Sequence, residues 1–267
     1  MSAVNRYFTF RTSLFKLAWL ALIVSVCVNG QVPTHDDVPA VIGRARSSYY
    51  NLTRKGFKGF TATVDPNWEI ILANAATSEN LKVFRDVRFL MVVDGNGVVT
   101  VRHELGPNAA KPNLETIVQK IHYDMERLIV GFFNTWRIFM VSSPFPETES
   151  PIKLETPGDQ YRLVYNRQAG EVVIMLTRDL LITDWSLTSP TAKRTVKPHF
   201  QKTADGFLLT SYQGLFEPVG AGIKTTLDFT IEYQDVSGLK LPYKVQLKGM
   251  HGSEPVEAEL VFTVKSD

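Results

Sequence analysis

Leu227-Asp228-Phe229-Thr230-Ile231-Glu232-Tyr233 places an apolar residue at every second position, and the chain then repeats the pattern twice. Leu239, Leu241, Tyr243, Val245 and Leu247 alternate with Lys240, Lys244, Gln246 and Lys248. Val256, Ala258, Leu260 and Phe262 alternate with Glu257, Glu259 and Thr263. Successive side chains of a strand point to opposite faces, so a two-residue period means one wet face and one apolar face, as in an antiparallel sheet. Turn-forming residues at Asp235 to Gly238 and His251 to Ser253 separate the three strands. The apolar face needs a cover.

Upstream, strand alternates with turn back to Gly158, with turns at Asn166 to Gly170 and Thr203 to Gly206. The stretch Ser142 to Gly158, rich in Pro, Ser and acidic residues, reads as an exposed crossing between two β blocks. Before it, Leu114, Ile117, Val118, Ile121, Met125, Leu128, Ile129, Phe132, Trp136 and Phe139 line one broad face of a helix starting at Asn113. Toward its end that helix turns apolar almost all round, through Val130, Phe133, Ile138 and Met140, as a helix covered on most sides does. This is the cover.

Arg88 to Val93 and Val98 to His103 flank Asp94-Gly95-Asn96-Gly97, which reads as a β-hairpin. Phe57 to Val64 reads as a strand, with Asp65-Pro66 as a helix start and short helices up to Val87. Val38, Val41, Ile42, Ala45, Tyr49 and Leu52 have helical spacing between a capping box at Thr34 and a closing Gly56. The count is about eleven strands with an N-terminal helix and a long central amphipathic helix, an α+β chain. No side-chain repeat of solenoid or propeller length is visible.

Residues 1–30 read as a secretory signal: Arg6, Arg11 and Lys16 without an acidic partner, the apolar run Leu17 to Val28, and a cut between Gly30 and Gln31. A membrane anchor is the alternative, but the run falls short of the ~20 residues that span a bilayer. Lipidation at Cys27 is disfavoured by the preceding Val26. Removing the leader takes the net charge from +2 to −1, which leaves no bulk electrostatic case for nucleic acid or an anionic membrane surface, although local patches stay open. Cys27 is the single cysteine, so residues 31–267 form no disulfide and offer no thiol ligand. We expect one domain over 31–267, a periplasmic or secreted monomer with no transmembrane helix in the mature chain.

The chemistry-bearing motifs are sparse. His103-Glu104 point to opposite faces of a strand, and His122 with Asp124 and Glu126 lacks a second histidine, so no metal site is expected. There is no nucleophile elbow and no lactamase-type set, Gly95-Asn96-Gly97 sits in a hairpin turn, and Gly220-Ala221-Gly222 precedes a strand, so neither glycine run cradles phosphate. No catalytic residue and no cofactor are expected, with a triad assembled only in space left open. Asn51-Leu52-Thr53 is a glycosylation sequon in a eukaryotic host. The aromatics Phe132, Phe133, Trp136 and Phe139 read as core or as the lining of an apolar cavity, and Leu215 to Gly220 reads as a lid or a plug.

The order of elements, and most specifically Tyr233-Gln234-Asp235-Val236-Ser237-Gly238-Leu239-Lys240-Leu241-Pro242-Tyr243-Lys244-Val245, resembles the periplasmic lipoprotein-carrier superfamily of LolA/LolB-like proteins. That resemblance implies an antiparallel incomplete β-barrel closed over by helices, and a hollow that holds an acyl chain or a lipoprotein's acyl groups. Phe84 to Phe89 is only loosely similar to an early strand of the carriers, and no functional arginine transfers. The expectation is a non-enzymatic protein whose cavity is lined by Phe132, Trp136 and Phe139 on the helix and Leu227, Phe229, Ile231, Leu241, Val245 and Leu260 on the sheet. The alternatives are an envelope interaction module with a filled core and, third, a hydrolase.

Overall fold

The computed structural model describes residues 37–73, 76–111, 114–146 and 151–265. The expected leader with its cleavage site, Cys27, Thr34 and Asn113 lie outside the described residues. Twelve strands make one antiparallel sheet: β1 (Gly59–Pro66), β2 (Val87–Asp94), β3 (Val99–Leu105), β4 (Ile152–Glu155), β5 (Gln160–Arg167), β6 (Gly170–Thr177), β7 (Ile182–Thr188), β8 (Ala192–Thr203), β9 (Gly206–Pro218), β10 (Thr225–Val236), β11 (Leu239–His251) and β12 (Glu254–Val264). Among the described residues there are four helices: α1 (Val38–Ser48), α2 (Trp68–Leu72), α3 (Ser78–Phe84) and α4 (Glu115–Met140).

From β4 to β12 the strands lie side by side in chain order. The sheet is completed when β1 pairs with β12, bringing Ala62 opposite Val264, and β2 and β3 extend it beyond β1. It does not close into a barrel, because β3 and β4 end the strand order on opposite sides. The count is twelve where sequence periodicity suggests about eleven. The added strand is β4, four residues inside the segment expected to be an exposed crossing.

The apolar face of the sheet packs on α4, which buries Val118, Met125, Ile129, Phe132, Phe133, Trp136, Phe139 and Met140. Ile117, expected on the same face, is 47 % exposed in the first turn of the helix. The opposite face of the sheet is polar, with Lys244 paired to Glu232 at 2.6 Å and Lys248 to Glu257 at 2.9 Å across neighbouring strands. Such solvent-screened pairs add little stability, so the fold rests on its apolar layer.

Alternation holds for Phe229, Ile231, Ala258, Leu260 and Phe262, all buried. It fails at Tyr243, which is 43 % exposed. The register shifts between Glu232 and Tyr233, so that Glu232 faces Lys244 while Tyr233 faces Pro242, leaving Tyr243 as the extra residue of a β-bulge.

Two helix ends also differ from their sequence expectation. The cap of α2 is Asn67, whose side chain accepts from the Ile70 N–H, while Asp65 and Pro66 are still strand. α1 stops at Ser48, and Tyr49 leaves it to form an isolated parallel bridge with Phe207. Gly56 then closes a short 3-10 turn with φ of 83°, the left-handed conformation expected of it. The sequon asparagine has a structural task, since the Asn51 side-chain amide donates to the Val141 and Ser142 carbonyls at 3.0 and 2.7 Å, beyond the end of α4. A glycan would have to occupy that same nitrogen.

Candidate functional site

The residues read from sequence as a cavity lining do come together, and the side chains themselves fill the space. Phe132, Trp136 and Phe139 of α4 are at most 2 % exposed, and Phe229, Ile231, Leu241, Val245 and Leu260 of the sheet are at most 6 % exposed. Leu227 is half-buried against the same core. The Phe132 ring lies 5.8 Å from Phe229 and 6.4 Å from Phe262, and Phe139 lies 6.0 Å edge-on to Phe200. Trp136 packs edge-on to Phe133 at 5.4 Å, with its indole N–H toward the Tyr233 phenol, which burial pushes far above the usual tyrosine range. Of the nine, Phe229 borders a cleft.

Two clefts lie along a split in the sheet. β7 pairs with β8 only from Trp185 opposite Val196 to Thr188 opposite Lys193. Ahead of Trp185, β7 keeps its pairing with β6, while β8 beyond Val196 keeps its pairing with β9 as far as Thr203. Pro198 stands just past the last shared pair. It has no N–H to give, which is why proline in a sheet is confined to edges and irregularities. A register shift follows at once between His199 and Phe200.

This seam opens a cleft of about 540 Å³ bordered by Leu181, Ile182, Pro198, Phe200, Tyr212 and Phe229, with Thr183, Lys197, His199, Ser211, Gln213, Asp228 and Thr230 around them. Pro198, Tyr212 and Phe229 are buried while Lys197, His199, Gln213, Asp228 and Thr230 are exposed, so the floor is apolar and the rim polar. Asp228 is partnered by Gln213 at 3.0 Å. The Tyr212 phenol, facing Thr135 of α4, is pushed well above its ordinary range by burial. Asp184, on β7 beside the seam, has its pKa raised by burial against the opposing pull of Lys197 and Lys193. A second cleft of about 860 Å³ continues past Leu181 to Lys202, Asp205, Phe207, Ser47 and Ser48.

Tyr49 stoppers the seam from inside. Its hydroxyl accepts the Ile182 N–H at 2.6 Å and donates to the Leu180 carbonyl at 2.8 Å. Its ring sits edge-on to Phe145, Phe200 and Phe207 at 5.6, 5.1 and 5.4 Å. Leu180 itself adopts φ of 66°, an uncommon conformation for a residue with a branched side chain.

The other finding that sequence spacing misses is a histidine pair. His103 of β3 lies 4.4 Å from His122 of α4, ring to ring, and His122 Nε2 is 3.8 Å from Glu126. Burial, and second the neighbouring His122, lower the His103 pKa. Among the described residues no three His, Cys, Asp or Glu side chains gather as a metal site would require. Neither the seam nor the pair has a local motif. Each is made by residues distant in the chain, and Pro198 within a strand is the nearest thing to a signal.

Comparison of the chain with protein-family models, with curated proteins and with solved structures finds no match.

Proposed function

We propose that the chain is an exported, non-enzymatic binding module that takes an apolar chain, the acyl tail of a lipid or of a lipidated polypeptide, into the seam between β7 and β8. The observation that carries this reading is the seam's make-up: interrupted strand pairing over an apolar floor of Pro198, Tyr212 and Phe229, ringed by exposed polar side chains. An amphiphile needs both, a dry trough for the tail and a wet rim for the head. Each buried methylene contributes about 0.8 kcal/mol, so a tail only partly enclosed reaches micromolar affinity after ordering costs. The resemblance to lipoprotein carriers points to the same ligand class, with the site moved from the helix–sheet interface to the split in the sheet.

Titration with a fluorescent fatty acid tests it. The wild type should bind saturably, and Thr183→Trp and Ser211→Trp, which place an indole in the cleft, should weaken binding at least about tenfold while leaving the melting temperature close to wild type. Saturable binding untouched by both substitutions would move the ligand elsewhere and sink the seam.

A second reading, an envelope interaction module with a filled core, draws on the dense packing of Phe132, Trp136, Phe139 and their partners on the sheet. The absence of saturable fatty-acid binding in the wild type leaves that reading standing alone.

A further inference from the structure

The loop that sequence leaves between lid and plug, Leu215 to Gly220, borders neither cleft of the seam. It belongs to the far end of the sheet, where three connections are stitched into one tip: the Val219 N–H donates to the Thr191 carbonyl at 2.8 Å, and the Gly252 N–H to the Lys224 carbonyl at 2.9 Å. The side chains there are apolar and in water. Val219 is 64 % and Ile223 53 % exposed, and Phe216 and Met250, at the adjoining strand ends, are 36 % and 42 % exposed. Isolated exposed hydrophobics are ordinary, whereas several on one protruding end mark a contact surface.

Cations surround them. Lys193 and Arg194 open β8, and Lys224 precedes β10, all three exposed. Arg194 lies over the Phe216 ring at 5.8 Å. The acidic residues at this end are Glu217, opposite Lys193 and held by Lys224 at 3.0 Å, Glu254, opposite His251, and Glu171, in line with Lys193 across Thr188. Apolar side chains at the apex with basic ones behind them is the order in which a bilayer presents its chemistry, hydrocarbon within and anionic headgroups outside. A protein partner does not require that stratification.

We infer that this tip docks the molecule on an anionic membrane surface, with Val219 and Ile223 entering the headgroup–acyl boundary and Lys193, Arg194 and Lys224 meeting the phosphates. The inference is independent of the seam, because the tip shares no lining residue with either cleft along it. The near-neutral chain as a whole lacks this attraction, so the binding is local and falls as salt is raised.

The test is cosedimentation of the full chain with phosphatidylcholine vesicles, with and without phosphatidylglycerol. The wild type should bind the anionic vesicles and bind the neutral ones far less. Lys193→Gln with Arg194→Gln should weaken binding by on the order of fivefold per cation removed, and Val219→Asp with Ile223→Asp should abolish it, with circular dichroism unchanged in both. Equal binding to both vesicle types, or anionic binding that survives the aspartate pair, overturns the proposal. So does a wild-type oligomer, seen by light scattering, that the aspartate pair converts to monomer, since the tip is then a contact between copies. Fatty-acid titration of the aspartate pair reads the seam separately.

Discussion

Tyr49 does with one side chain what a strand edge does with its backbone. Where β7 and β8 part, the Ile182 N–H and the Leu180 carbonyl face the phenol hydroxyl in place of a neighbouring strand. Tyr49→Phe keeps the ring contacts and removes only the oxygen, leaving a buried donor and acceptor unpaired. We expect a loss of about 1–3 kcal/mol in urea unfolding, and a loss below this range would mean that water replaces the hydroxyl. His103 supplies a pH dependence. Burial and the adjacent His122 lower its pKa in the folded chain, so the unfolded chain binds the proton more readily. Stability is therefore full above the unfolded histidine value of about 6.5 and is lost as pH falls through that value toward the lower folded one. The pH dependence between neutral and mildly acidic urea melts should be shallower in His103→Gln than in wild type, and equal slopes would exclude His103 as its source.

At the scale of elements, α4 is the piece on which the sheet is built. Trp136, fully buried between Phe133 and the Tyr233 side of the sheet, should cost roughly 3–5 kcal/mol when cut to alanine, measured by denaturant melts. A small loss would show that the space around it already tolerates a void. The long helix and the last three strands are legible in sequence because each has one wet and one dry face, and burial then writes a period into the chain. Tyr243 is misread because a bulge adds a residue without changing the apolar pattern. β4 is missed because four residues are too few to show a period. The seam is illegible for a different reason: alternation reports which way a side chain points and says nothing of whether the neighbouring strand stays paired. The nine residues expected to line a cavity were identified by face, and face alone does not distinguish a lining from a filling.

Across the whole molecule the strand order is almost the chain order, and the pairing of β1 with β12 is the exception. Among the described residues every other ladder joins strands consecutive in the sequence, while this one sets Ala62 against Val264 and Val64 against Phe262. Removing residues 254–267 should therefore cost more than one strand, because β1, β2 and β3 lose their attachment to the rest of the sheet. Such a chain should lose helix α4's signature in circular dichroism and expose apolar surface to a hydrophobic dye. A truncated chain that melts like wild type would show that α4 holds β1 to β3 unaided. The same closure sets an order of events at the ribosome. The β2–β3 hairpin is translated early, yet Phe89, Met91 and Val93 face the core it shares with residues made last, and loop closure over so long a separation is slow. For most of synthesis β1 to β3 have only one another to pair with. A holdase that keeps such a chain extended until its final strand has emerged would therefore act on this segment first.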